Sequence, residues 1–133
     1  MDRRATIDRE ACPILIAERN PRIGSVLEKA FARRGYSVRV AANGYEAAVL
    51  LTLVRPALLV LDPDLPYLFA LLEAGKGTLG STVPVILHPL SVLEDIPGSM
   101  PPCRTVCKEA NPEPLLDAVD TTLSGQPARE EQQ

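Results

Sequence analysis

The sequence predicts one α/β domain in which five parallel strands form a single sheet with helices on both faces. Three observations carry the prediction. Short, continuously apolar runs alternate along the chain with segments whose apolar residues recur at helical spacing. The longest helical segments open on asparagine signals (Asn20-Pro21, Asn43, Asn111-Pro112), and two of them close on Gly35 and Pro56. The runs near Cys12–Ala17, Ala57–Leu61 and Val83–Leu87 are continuous, as strands buried on both faces require, and such strands are parallel and joined by helical crossovers.

Each element follows from its residues. Cys12-Pro-Ile-Leu-Ile-Ala17 is the first strand, with Pro13 tolerable only at its start. Asn20-Pro21 caps the first helix, whose face is Ile23, Val26, Leu27, Ala30 and Phe31. Tyr36–Ala41 is the second strand. Asn43-Gly-Tyr-Glu46 then caps a helix with Val49, Leu50, Leu53 and Val54 on its apolar face. Ala57–Leu61 and Val83–His88 are the third and fourth strands, with a short helix in Tyr67–Ala74 between them. Pro89, Pro97, Gly98, Pro101 and Pro102 limit any fourth helix to a turn or two around Ser91–Asp95, so that helix is expected to be shortened or irregular. Cys103–Cys107 is the last strand, and Leu115, Leu116, Val119 and Leu123 mark one face of the final helix, capped by Asn111-Pro-Glu113.

Composition narrows the function. The 133 residues are 46% hydrophobic and 23% charged, which suits one soluble domain with a real core. We read residues 1–11 as a tail, 12–123 as the domain and 124–133 as a disordered polar tail. No apolar run approaches the roughly 18 residues of a membrane span, and Met1-Asp-Arg-Arg leads into no secretory segment, so a cytoplasmic protein with no membrane partner is expected. Cys12, Cys103 and Cys107 are too few for a disulfide framework and lack zinc spacing, and we read them as small buried hydrophobes. The net charge of −3 divides into +4 over residues 1–55 (ten Lys/Arg, six Asp/Glu) and −7 over residues 56–133 (four against eleven). With no basic tail or recognition helix, direct nucleic-acid binding is not expected. In such a sheet the site lies outside the carboxyl ends of the strands, which directs attention to Glu18, Arg19, Asp62, His88, Pro89 and Lys108.

Over about residues 12–123 the chain resembles the receiver domain of two-component response regulators. The resemblance rests on Ile14-Leu-Ile-Ala-Glu-Arg-Asn-Pro21, Gly35-Tyr36, Ala41-Ala-Asn-Gly-Tyr-Glu-Ala47, Arg55-Pro-Ala-Leu-Leu-Val-Leu-Asp-Pro-Asp-Leu-Pro66, Val83-Pro-Val-Ile-Leu87, and Lys108 followed by Asn111-Pro-Glu-Pro-Leu-Leu116. It implies a flavodoxin-like, doubly wound sheet of order 2-1-3-4-5. It also implies that Asp62 stands at the phosphoacceptor position, with Glu18 and Asp62 as ligands of a Mg²⁺ ion and Lys108 near the phosphoryl oxygens. A histidine kinase or phosphotransfer protein is the implied partner, and Arg22, Lys29 and Arg33 on the first helix, with Arg34 beside them, are the candidate partner surface.

The chain departs from that pattern at several positions. Arg19 replaces the second acid of the family, Pro89 the switch hydroxyl and Thr105 the sensing aromatic, and no Gly-x-Asp-Gly follows Pro66. Charge decides how Arg19 is read: Glu18, Arg19, Asp62 and Lys108 sum to zero without any metal. A fixed guanidinium leaves Mg²⁺ little reason to bind, although Asp64 would add a negative charge if it turned inward. We therefore expect an atypical, pseudo-receiver variant with no cofactor and no enzymatic activity, acting through a protein partner.

Two alternatives stand beside this reading. One is a working phosphorelay receiver modified on Asp62. The other is a small-ligand binder on the same fold, which lacks support because Glu-Arg-Asn-Pro follows the first strand where a phosphate loop would be rich in Gly, Ser or Thr. The lone His88 is read as a hydrogen-bonded structural residue, since no nucleophile accompanies it.

Overall fold

A computed structural model describes residues 8–91 and 98–125. A 3₁₀ turn at Arg9–Ala11 leads into β1 (Ile14–Ala17), α1 (Pro21–Arg33), β2 (Val38–Ala41), α2 (Gly44–Val54), β3 (Leu58–Leu61), α3 (Leu68–Ala74), β4 (Val85–Leu87), β5 (Arg104–Thr105) and α4 (Glu113–Leu123). The five strands are all parallel, in the order β2-β1-β3-β4-β5 expected from the sequence. Residues 92–95 of the expected turn of helix around Ser91–Asp95, and most of both expected tails, lie outside the described residues. Among the described residues no helix is long and apolar enough to cross a membrane.

The unbroken apolar strands have a direct structural meaning. Successive side chains point to opposite faces, so Ile14, Ile16, Leu58, Val60 and Ile86 pack under α1 and α4 against Leu27, Phe31, Leu115 and Val119. Leu15, Leu59, Leu61, Val85 and Leu87 face the other way, under Ala47 and Leu51 of α2 and Leu71 of α3. One run of sequence thereby supplies two cores.

The cap signals hold, with one shift. Asn20 Oδ1 accepts the Arg22 and Ile23 N–H groups, and Asn43 Oδ1 accepts that of Glu46 while Glu46 Oε1 accepts the Ala42 N–H. Asn111 Oδ1 accepts the Glu113 N–H, although Pro112 occupies the capping position of α4. Gly35 leaves α1 at φ +99°, a conformation that favours glycine. Asp120 of α4 accepts hydrogen bonds from Arg9, Arg34 and Tyr36, tying α4 to the end of α1 and to the 3₁₀ turn before β1.

Four expectations are corrected. The strands are shorter at their ends than the apolar runs, and β5 keeps only two residues, both exposed, because it is the edge strand and follows Pro101-Pro102. Cys103, just before that edge, is exposed, and Cys12 and Cys107 are only half-buried, Cys12 packing against the edge of the core under α1 and α4. Val26 on α1 is exposed. The face chosen for α2 is largely the wrong one: Ala47 and Leu51 are buried, whereas Val49 and Leu53 face solvent. That helix is apolar on nearly every side, so its periodicity does not identify the inward face.

Candidate functional site

The strand register builds the site. Ala17, Leu61 and Leu87 are paired neighbours at the ends of β1, β3 and β4. The ladder runs one residue further, through Asp62 N–H to Ala17 O at 2.9 Å and His88 N–H to Leu61 O at 2.8 Å. Glu18, Asp62 and His88 therefore emerge side by side at one rim of the sheet. Pro89 follows His88 and accepts the Lys108 N–H at 2.8 Å, which fixes the loop that carries Lys108. All three polar residues at the strand ends are buried. A polar group removed from water must find partners.

Glu18 and Asp62 find them in two cations. Lys108 Nζ lies 3.2 Å from Glu18 Oε2 and 3.5 Å from Asp62 Oδ2. Arg19 Nε lies 3.5 Å from the same Asp62 Oδ2, whose side chain is only 1% exposed. The second Asp62 oxygen, Oδ1, accepts the Asp64 N–H at 2.9 Å. Asp64 itself turns toward Arg19, with Oδ2 3.6 Å from Nη2, so the guanidinium is held between two carboxylates while remaining half-exposed. Burial pushes the Glu18 carboxyl above its ordinary range; the Asn20 N–H opposes that, the Asp62 charge adds to it, and Lys108 also opposes it.

His88 Nδ1 is buried and has no hydrogen-bond partner among the described residues. Its pKa falls to about 4, lowered first by burial and then by Lys108, with Asp62 opposing. His88 is therefore neutral at pH 7 and leaves the charge balance to the carboxylates, Arg19 and Lys108. A cleft of about 250 Å³ opens beside it, between α1 and the loop before α4, with Ile23, Leu27, Cys107 and Leu115 among its walls.

The sequence-selected residues divide into two groups. Glu18, Arg19, Asp62, Asp64, Pro89 and Lys108 converge on one rim. Arg22, Lys29 and Arg33 lie apart, exposed along one stripe of α1 that starts beside that rim, with the exposed Val26 among them. Arg34 is half-buried in ion pairs to Glu113, Asp117 and Asp120 and is not part of an open surface. The Asp64–Arg19 pair and the Asn20 N–H to Glu18 contact were not foreseen; the Asp-Pro-Asp and Glu-Arg-Asn runs bring the partners close, but only the turn geometry pairs them.

The residues present do not suit Mg²⁺. Glu18 and Asp62 are the two carboxylates at the rim's centre, and Asp62 Oδ2 already has Arg19 Nε and Lys108 Nζ, each at 3.5 Å. Among the described residues no cluster of three or more metal-ligating side chains forms. A doubly charged ion that keeps several waters and needs carboxylate oxygens would have to displace the guanidinium.

No protein-family model matches the sequence, and neither does any curated protein. Solved structures do match the fold. The N-terminal domain of a response regulator/sensory box/GGDEF protein from Carboxydothermus hydrogenoformans superposes with a TM-score of 0.72 at 20% identity, covering 84% of this chain and 93% of that one. The response regulator TrrA from Thermotoga maritima, solved in complex with Mg²⁺-BeF, gives 0.70 at 24% identity over 84% and 99%. The chemotaxis protein CheY4 from Vibrio cholerae gives 0.70 at 20% over 84% and 98%. The chain thus has the CheY-like, flavodoxin-like fold of receiver domains.

Proposed function

We propose that this chain is a receiver-like signal-transduction module that acts through protein contacts, its phosphoacceptor position locked by a fixed cation instead of switched by Mg²⁺ and phosphorylation. One observation carries the reading: Asp62 Oδ2 is buried and shared between Arg19 Nε and Lys108 Nζ, each at 3.5 Å. An attacking carboxylate needs a lone pair facing the phosphorus and neutralisation of the incoming phosphoryl group. Here the cations sit on the nucleophile itself. Pro89 has no hydroxyl to follow a phosphoryl group, and Thr105 has no ring to sense a loop movement. The module is on this reading not an enzyme and takes no cofactor. The exposed stripe of Arg22, Lys29 and Arg33 suits a protein partner with an acidic surface, such as a histidine kinase or a phosphotransfer protein.

A working phosphorelay receiver is the second reading, favoured by the juxtaposition of Glu18, Asp62 and Lys108 at the strand ends. TrrA, on the same fold, holds Mg²⁺-BeF. Substituting Arg19→Asp separates the two. If Arg19 is the lock, the variant gains Mg²⁺ binding, read as a rise of several degrees in melting temperature at a concentration near 100 times Kd, whereas the wild-type protein does not respond. A variant that gains no Mg²⁺ affinity argues against the lock.

A further inference from the structure

Seven large apolar side chains are exposed among the described residues, and five of them, Tyr45, Val49, Leu53, Tyr67 and Phe69, lie on α2 and at the start of α3. Tyr45, Val49 and Leu53 follow one another at four-residue spacing along one face of α2. Tyr45 packs against Tyr67 and Phe69 at ring-centroid distances of 5.0 and 5.9 Å, and those two rings are 6.3 Å apart. The chain has three Tyr, two Phe and no Trp, so three of its five aromatic side chains stand together on this surface.

The arrangement is rigidly built. Gly44 donates its N–H to Pro66 O at 2.7 Å, and a Cβ on Gly44 would come within 1.7 Å of Tyr67 O, so only glycine permits that approach. Tyr67 sits at φ +58°, in the left-handed region that a tyrosine rarely adopts. Strain at a non-glycine residue persists only where the surroundings impose it, and it concentrates at functional surfaces. The ring it positions serves no core.

From this we infer that the α2–α3 face is a self-association surface whose occupant is a second copy of this chain, related by a twofold axis. Area supports that occupant. Aromatic side chains bury roughly 150–250 Å² each; scaled by their exposure here and joined by Val49 and Leu53, the five offer about 550 Å² per copy, or about 1,100 Å² for a pair. That passes the ~1,000 Å² a specific interface needs. Charge supports it as well. A twofold interface places the same patch against itself, so a charged patch would repel its image. None of the five side chains is charged, and the one charged residue of α2, Glu46, has its carboxylate on the Ala42 N–H. The basic stripe of α1 would oppose itself in the same arrangement.

Sedimentation velocity on the full 133-residue protein, from low to high micromolar concentration, tests the inference. The expected result is a concentration-dependent shift toward twice 14.4 kDa. Leu53→Lys and Phe69→Lys, at positions 74% and 63% exposed, should each weaken the association at least about tenfold while far-UV dichroism, and the melting temperature at concentrations where both proteins are monomeric, stay unchanged; Lys29→Glu on α1 should leave it intact. Amide exchange on the unsubstituted protein should show α2 protection rising with concentration. A monomer at every concentration overturns the inference, as it would if this face instead received a different protein or a lipid surface. So does a dimer that survives both lysine substitutions.

Discussion

Replacing His88 by Leu should remove much of the acid sensitivity of the fold. In the folded protein the imidazole is buried and its pKa falls to about 4, against an ordinary 6.5, because burial denies the charged form its water and Lys108 repels it, with Asp62 only partly opposing. The unfolded chain therefore takes up a proton between pH 6.5 and 4 that the folded chain declines. Stability from this source is complete above pH 6.5 and lost as pH falls toward 4. That gap is worth about 3 kcal/mol, at about 1.36 kcal/mol for each pKa unit. Leucine has similar bulk, and because Nδ1 has no partner, the substitution breaks no hydrogen bond at that atom. Urea unfolding followed by circular dichroism at pH 7, 5.5 and 4, on both proteins, gives the comparison. The wild-type protein should lose about 3 kcal/mol more than His88→Leu between pH 7 and 4. Equal losses, or an imidazole that titrates near 6.5 in the folded state by NMR, would refute the reasoning.

Two further predictions concern charge. Lys108→Met strips Glu18 and Asp62 of the buried cation they share and should destabilise the domain by about 3–5 kcal/mol, with partial recovery when Asp62→Asn is added; thermal unfolding of the single and double variants checks both. Asp120→Ala removes the acceptor of Arg9, Arg34 and Tyr36 and should cost about 2 kcal/mol at pH 7 by urea unfolding. Although burial pushes the Asp120 carboxyl up, hydrogen bonds from Arg9 and Tyr36 hold it below its ordinary value. The stability it contributes is therefore present above about pH 4 and disappears as pH falls through the lowered value, so the variant and wild type should converge in acid.

What the sequence discloses depends on how local the cause is. Glu18, Asp62 and Lys108 were legible because each follows an expected strand, and parallel strands bring such ends to one rim. The sheet order came from resemblance, and the register then fixed which residues meet. Asp64 was ambiguous because its direction depends on a turn that places its N–H on Asp62 Oδ1. The state of His88 Nδ1 was not legible, because whether a buried nitrogen has a partner is a property of several segments at once. The face of α2 was misassigned for a different reason: Val49, Leu50, Leu51, Leu53 and Val54 make a helix apolar all round, and only contact with the sheet selects Leu51 over Val49 and Leu53. Cys103 was taken as a small buried hydrophobe because the cysteines lack disulfide or zinc spacing, while its position beside the short edge strand leaves it exposed.

The measurement that bears most directly on the locked site is intact-mass spectrometry of the purified protein after incubation with acetyl phosphate and Mg²⁺, with Asp62→Asn as control. With Arg19 and Lys108 both on Asp62 Oδ2, no phosphoryl adduct should form on the wild-type protein, and Mg²⁺ should leave its melting temperature unchanged. A single phosphoryl adduct that is lost in Asp62→Asn would contradict the account and make this chain a working phosphorelay receiver.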